Sequence, residues 1–478
     1  MPSILDAPIP TKIVKMRQRV QWNHPEIRSR NIDQTSLFLD DSHQHKPAFS
    51  FLVIGDSGYG PHTRYHPQRQ VAEQMLPHLN DCCFLLHTGD VVYTVGSHEQ
   101  YPQNFIQPYR EWLKEDREHR TSCPISYDNM VFNRPFLPVL GNHDYYNLPK
   151  FYSTFAKLTL PAKRLLKRMI FNDVNPSNLG TCGSNMGDAY AKAFLDYLQR
   201  FTAEKDLVQH LDQHYTAESD WGKCLRYQPG QFTRLPNRYY TFRYGGIDFF
   251  ALDSSTFNRP SSLSKELAPI DKPYGVDIEQ LQWLKKRLID SWMNPQVRGR
   301  IIYLHHPPYV TEATKWNNLD TLAVRQHLRW VLDGVAEALE KMEGDRTTDQ
   351  PLVNLILSGH AHCFEYLQTG DTGHADSHLT WIVCGGSGAR PRHQRENLGD
   401  EIEETVHLSS GVHRRIVAKS KLYVGHSGHG AERKQSYSFL RVDIQSGTPP
   451  TLILRPHVSE RYQDAWTDVS LAPLTINF

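Results

Sequence analysis

Five short segments of this 478-residue chain carry side chains of the metal-ligand type. They are Asp56 in Gly-Asp-Ser-Gly, Asp90 in Gly-Asp-Val-Val-Tyr, Asn142 and His143 in Gly-Asn-His-Asp, His305 in Leu-His-His-Pro, and His360 and His362 in Gly-His-Ala-His. A carboxylate or imidazole that leaves a buried strand next to glycine is held by rigid backbone, and the missing Cβ lets the chain turn tightly enough for several such tips to converge. Oxygen and imidazole donors without a thiolate suit iron, manganese or zinc, whereas a calcium cage would use oxygen alone. Each motif by itself is weak. Their weight comes from all five standing in one order, each after a short apolar run.

Those runs are the elements that must position the tips. FSFLVIG (49–55), CCFLLHTG (82–89), FLPVLG (136–141), IDFFALD (247–253), IIYL (301–304), LVNLILSG (352–359) and LTWIVCGG (379–386) have the length and composition of buried strands. Between them, Ile278, Leu281, Leu284 and Leu288 share one helical face behind Asp277 as a candidate N-cap, and residues 321–342 repeat the pattern. Strands alternating with helices predict an α/β arrangement. A pair of strands across SGTPP, at about 436–457, reads as a closing hairpin. Residues 1–46, polar and aperiodic, read as an extension laid over the surface of a catalytic domain at 47–478. The polar stretch at about 145–235, with helix-like pieces LPKFYSTFAKL and DAYAKAFLDYLQRF, reads as an insertion near the site.

The ordered motif set resembles the calcineurin-like metallophosphoesterase superfamily, and within it the purple (tartrate-resistant type) acid phosphatases, over roughly residues 48–390. Many superfamily members carry Asp-x-His in the first motif; this chain has Asp56-Ser57-Gly58 and supplies Tyr93 three residues after Asp90. The resemblance implies a two-sheet β-sandwich flanked by helices, α/β (α+β) in class, with a dimetal site at the sheet edge. It places Asp56, Asp90, Tyr93 and His362 around one metal and Asp90, Asn142, His305 and His360 around the other, with Asp90 bridging. Only a carboxylate among these groups offers two anionic oxygens to two cations, and the amide of Asn142 limits the charge at the second position. A Tyr93 phenolate favours a trivalent hard ion, so Fe(III) is implied there, with Fe, Zn or Mn at the second site. His143 is implied as general acid, with Asp144 orienting its ring; the plainer reading of His143 is a hydrogen-bonded loop histidine. Of the two histidines in the fourth motif, His305 rather than His306 fits the His-x-Pro spacing onto Pro307, and the loop that follows, YVTEATKWNN, lacks the histidine that relatives often carry there.

The activity so implied is hydrolysis of phosphate monoesters, with a metal-held hydroxide as nucleophile and His143 protonating the leaving alkoxide. The missing loop histidine and the 145–235 insertion leave a phosphodiesterase or nucleotidase as the alternative. A non-catalytic scaffold on the same fold would have lost ligands, and here every expected ligand is present. Arg390, Arg392, His393 and Arg395 lie in a glycine-rich turn that offers backbone N–H groups to an anion or is simply a solvated basic loop. His426 and His429, between glycines, read as a rim contact or as a tract that picks up metal adventitiously. Cys363 and Cys384 read as small buried hydrophobes.

Charge excludes some partners. Lys plus Arg number 53 and Asp plus Glu 52, so the net +1 gives no field to draw in nucleic acid or anionic membrane, and a small-molecule phosphate ester is expected as substrate. No apolar run reaches membrane-spanning length, and the first residues contain no apolar core of the signal-peptide kind. Seven cysteines, an odd number with no Cys-x-x-Cys pair, fit reduced thiols. The expected location is cytoplasmic.

Overall fold

The aromatic and β-branched run Phe49–Ile54 forms a strand buried on both faces at its C-terminal end. It lies parallel to Leu85–His87, which lies parallel to Phe136–Pro138, with Leu52 opposite Leu85 and Leu85 opposite Phe136. On its other side it pairs antiparallel with Lys434–Ile444, which turns back into Leu452–Tyr462. These strands belong to the smaller of two sheets in the computed structural model of the chain. The structure describes residues 4–60, 65–114, 125–148, 183–261, 275–343, 351–396, 399–408 and 411–477.

The larger sheet has at its centre Ile247–Ala251, Gly299–Tyr303, Leu355–Ser358 and Thr380–Cys384, mutually parallel. Parallel strands covered on both faces read as continuous apolar runs, which is why these segments show no alternation. The inner faces of the two sheets meet in an aromatic layer. Phe51 stacks on Phe84 at 5.0 Å and Phe242 on Phe249 at 4.7 Å, and Phe84 meets Phe249 edge-on at 5.4 Å. Over the outer face of the large sheet lie the helices Ile278–Met293 and Leu319–Glu343, whose Leu281, Leu284, Leu288, Val324 and Leu328 pack with Ile302, Ile356 and Trp381. Asp277 caps the first of them by accepting from the Gln280 backbone N–H at 3.4 Å. The architecture is an α/β two-sheet sandwich flanked by helices.

The N-terminal residues do not lie over the surface as their polarity suggests. Helix Ile9–Arg19 buries Ile9, Ile13 and Met16, and strand Ile32–Leu39 sits inside the large sheet between Tyr240–Tyr244 and Gly222–Tyr227. The apolar spacing at 9, 13, 16 and 20 is helical, but the cations among those residues obscure it. One of these, Lys12, is itself buried, its ammonium 2.7 Å from the Asp6 carboxylate and over the Tyr145 ring. Within 145–235, residues 149–182, which include most of LPKFYSTFAKL, lie outside the described residues. DAYAKAFLDYLQRF supplies helix Asp188–Phe194 and a short 3-10 turn, Leu198–Arg200. Among the described residues, no helix is long and apolar enough to cross a membrane.

Leu284 is fully buried between helix and sheet, whereas Leu322 is partly exposed on the neighbouring helix. Leu284→Ala is expected to cost about 2–5 kcal/mol, read as a lowered denaturation midpoint, and Leu322→Ala less than about 0.5 kcal/mol.

Candidate active site

Three strand ends of the small sheet and two of the large sheet meet. Asp56 donates its backbone N–H to Gly89 O at 3.0 Å, and Gly359 donates to His305 O at 2.9 Å. Asp56, Asp90 and His360 have φ of 53°, 55° and 65°. Residues with a Cβ enter this left-handed region sparingly, and Asp and His do so more readily than β-branched types. Each turn therefore reverses the chain abruptly and aims a short polar side chain off the end of a strand. Gly141 is required by proximity: a Cβ there would stand 2.0 Å from Asp90 Oδ1.

On one side of Asp90, lone pairs converge. His305 donates Nδ1–H to Thr88 O at 2.8 Å, which turns Nε2 inward. That Nε2 lies 3.0 Å from Asn142 Oδ1, 3.4 Å from Asp90 Oδ2 and 3.2 Å from His360 Nδ1. His360 presents Nδ1 because its Nε2 faces Asp320, at 3.1 Å, outside the cluster. On the other side, Asp56 Oδ1 accepts from the Tyr93 hydroxyl at 2.8 Å, and that hydroxyl lies 3.2 Å from His362 Nε2. His362 donates Nδ1–H to Arg390 O at 3.1 Å, again leaving Nε2 to face inward. Asp56, Asp90, His305 and His360 are nearly or completely inaccessible to solvent.

The charges cannot be left as they stand. Burial, with the Asp90 charge adding to it, pushes the Asp56 carboxyl up to about 8. Burial would raise Asp90 too, but His305 and His143 outweigh it and hold that carboxyl well below its usual range. The same pairing overcomes burial at His305 and carries its ring up to about 9. Burial holds His360 down at about 3 and His362 well below the usual imidazole range, with the Lys315 ammonium adding to both. Protons thus gather where acceptors face each other, and a cation would satisfy the same acceptors. Oxygen and imidazole donors in two groups that share Asp90 are a donor set that fits two borderline or hard cations.

His143 projects at the mouth of the cluster. Its backbone N–H donates to Asp90 Oδ1 at 2.9 Å, its Nδ1–H donates to Thr94 O at 2.6 Å, and its ring lies 4.2 Å from that of Tyr93. Nε2 is thereby turned towards Asp90, 4.0 Å from Oδ2. Asp144 does not orient this ring. Its carboxylate instead gathers the backbone N–H groups of Asp90, Val91 and Gly141 at 2.9–3.2 Å, tying the second motif to the third. Adjacent residues in a helical turn point their side chains in different directions, so sequence neighbourhood was a poor guide to the partner of His143. His306 has both ring nitrogens engaged, by Ser254 at 2.8 Å and Asn258 at 3.3 Å, although its ring stands beside that of His360.

Two further residues belong to the site and carry no motif. Lys315 Nζ lies 2.8 Å from His360 Nε2, and Asp320 reaches the same nitrogen. Lys315 comes from the loop that lacks the histidine, and Asp320 from the first turn of helix Leu319–Glu343. The only sequence signal for Lys315 was its being the sole basic side chain in that loop. Arg390, Arg392, His393, His426 and His429 gather beside His362, around a separate cavity; the side chain of Arg395 points elsewhere, to the backbone carbonyls of Gly399 and Glu401. Cys363 and Cys384 are buried, and burial raises both thiols.

Residues 49–364 match the family model described as calcineurin-like phosphoesterase. No curated protein matches the chain by sequence. Among solved structures, the chain is similar to the purple acid phosphatase PPD1 from yellow lupin (Lupinus luteus) seeds, with 13% identity and a TM-score of 0.46 over 91% of this chain and 54% of that one. It therefore spans about half the length of the lupin protein. It is also similar to GAP50, described as the anchor in the inner membrane complex of Plasmodium, with 12% identity and a TM-score of 0.43 over 90% of this chain and 89% of that one. The third likeness is to PhoD, with 12% identity and a TM-score of 0.39 over 91% and 70%.

Two outcomes follow from this geometry. Gly141→Ala should displace the Asp90 carboxylate and weaken Zn²⁺ binding by about tenfold or more, about 1.4 kcal/mol or more, measured by calorimetry. In chelator-treated protein, Asp56 and His305 hold protons in the folded state that the unfolded chain has released above about pH 6.5. Stability should then fall as pH rises from about 6.5 to 9, and added Zn²⁺ should abolish the fall.

Proposed function

The chain belongs to the calcineurin-like phosphoesterase family, whose members use two metal ions, and on that premise we propose that it hydrolyses small-molecule phosphate monoesters. The observation that carries this reading is the convergence of Asn142 Oδ1, Asp90 Oδ2 and His360 Nδ1 on His305 Nε2, all within 3.4 Å. Asp90, Asn142, His305 and His360 would hold one cation; Asp56, Tyr93, His362 and Asp90 would hold the other. The phenol of Tyr93 suits Fe(III), and the imidazole-rich second group suits Fe, Zn or Mn. Bound there, the cations supply the acidity that makes a water molecule nucleophilic near neutral pH and the charge that offsets the phosphoryl oxygens.

The chain's own groups do the remainder. With Nδ1–H fixed on Thr94 O, the His143 ring is held with Nε2 on the side of the Asp90 cluster, where a proton on that atom would pass to the leaving alkoxide of a substrate bound there. Burial, with His305 and Lys315 adding to it, keeps the His143 ring below the usual imidazole range, so the acid form belongs to acidic solution. The Lys315 ammonium, 2.8 Å from His360 Nε2 on the side facing Asp320, adds positive charge beside the site. A monoester dianion brings more charge than a diester, which supports the monoester over the diester. Asp144 positions the second and third motifs against each other. We place the protein in the cytoplasm, a reading supported by the free thiols of Cys82, Cys83, Cys224, Cys363 and Cys384.

Full-length protein loaded with iron plus zinc or manganese is expected to hydrolyse an aryl phosphate and to lose that turnover with chelator. Hydrolysis of the matching diester alone would replace this reading with a phosphodiesterase. His143→Ala should lower kcat on an alkyl phosphate by about 100- to 10,000-fold, and by less on an aryl phosphate, whose leaving oxygen needs no proton. The iron-loaded protein should show a visible charge-transfer band that Tyr93→Phe abolishes; a band persisting in the variant removes Tyr93 from the iron site.

A further inference from the structure

Beside His362 is a second concavity, of about 350 Å³, a size common to small-molecule sites. Its lining includes Arg390, Arg392, His393, His426, His429 and Arg433, and contains no carboxylate. These residues come from two separated segments, the turn after strand Thr380–Cys384 and the glycine-rich loop before strand Lys434–Ile444. Main-chain hydrogen bonds lock the two together: His426 N–H donates to Arg392 O at 2.7 Å, and Arg392 N–H donates to His362 O at 2.9 Å. The cavity wall is thus joined directly to a residue of the candidate active site.

The charge here is uncompensated. Several half-buried arginines elsewhere are paired with carboxylates, Arg69 with Glu111, Arg329 with Asp376 and Glu404, and Arg441 with Asp443, while Arg298 is bonded to the backbone carbonyls of Gly245 and Gln445. In the pocket Arg390 and Arg433 are half-buried and Arg392 is exposed. Among the described residues, Arg390, Arg392 and Arg433 form no ion pair with a carboxylate. His426 Nε2 and Arg433 Nε are buried without a hydrogen-bond partner. Like charges packed together cost free energy unless an anion sits among them, and guanidinium groups are the usual means of holding phosphate.

We propose that this pocket binds a second phosphate group of the substrate, so that the preferred substrate is a small molecule bearing two or more phosphates, one at the Asp90 centre and another among Arg390, Arg392 and Arg433. The proposal rests on the phosphate-ester reading of the Asp90 centre and adds the substrate class. His362 is bonded to the pocket's lining segment through Nδ1–H to Arg390 O and through its carbonyl from Arg392 N–H. The two subsites are therefore adjacent, one molecule of suitable length would reach both, and the second contact would act at high effective concentration.

A ladder of alkane-α,ω-bisphosphonates of roughly two to eight carbons, set against the matching monophosphonates, tests this by calorimetry on the metal-loaded full chain. At one length the bisphosphonate should bind about tenfold or more tightly than its monophosphonate. Arg392→Gln combined with Arg433→Gln should remove that advantage, and restoring charge at both positions with Lys should return part of it. No advantage at any length, or an advantage that survives the glutamine pair, overturns the proposal. Two monophosphonates bound per chain without a gain for any bisphosphonate also overturns it, by making the pocket an independent anion site. If the advantage and its loss are seen but no phosphate ester is hydrolysed by the same preparation, the pocket stands and the hydrolase reading falls.

Discussion

Two carboxylates and several imidazoles buried within a few ångströms of one another set the terms for this molecule. Removing such groups from water is expensive, and only pairing with opposite charge or with protons makes it tolerable. Asp56 and Asp90 are nevertheless fixed in the left-handed region of backbone space, with their oxygens turned towards one another's neighbours and away from solvent. The surrounding structure has to impose this arrangement, because nothing local favours it. The hydrogen bonds from Tyr93 and His360 N–H to Asp56, and from His143 N–H to Asp90, are the means.

The sandwich explains how so much restraint reaches one place. The small sheet delivers Asp56, Asp90 and Asn142, and the large sheet delivers His305, His360 and His362, so the site is a joint between the sheets and not an appendage of either. His305 Nδ1–H bonded to Thr88 O ties one sheet's loop to the other's. The aromatic layer of Phe51, Phe84, Phe242 and Phe249 fixes the spacing beneath. A second tier of polar residues supports the third motif: Tyr145 donates to Asp253 at 2.6 Å, and Asp253 also accepts from the buried Arg238, which pairs in turn with Asp277.

Much of this could be read in the sequence because strand tips are local features. An apolar run ending at Gly-Asp or Gly-His states both the strand and the side chain that leaves it. What could not be read is whatever depends on long-range placement. The same apolar runs would serve a doubly wound sheet, but Phe49–Ile54, Leu85–His87 and Phe136–Pro138 pair with one another and with Lys434–Ile444, apart from the large sheet, which divides the runs into a sandwich. Lys315 and Asp320 are single residues without a pattern, visible only once their loop and helix lie over His360. The basic pocket is assembled from segments about thirty residues apart, each of which looks like an ordinary solvated loop. In the N-terminal segment, interspersed charges masked a helical stripe.

The strand Ile32–Leu39 has a consequence for how the chain is made. Its partners, Tyr240–Tyr244 and Gly222–Tyr227, emerge from the ribosome roughly two hundred residues later. At synthesis rates of about 5–20 residues per second, the strand therefore waits on the order of 10–40 s with both edges unpaired. Leu37 and Leu39, buried in the finished sheet, are open to solvent and to other chains for that interval. Closing so large a loop is entropically late as well as slow. The strand is thus satisfied only once the middle of the chain has been made, and Phe49–Ile54 waits longer still for Lys434–Ile444, so the burden of preventing aggregation during biosynthesis falls on these early strands and on whatever chaperone shields them.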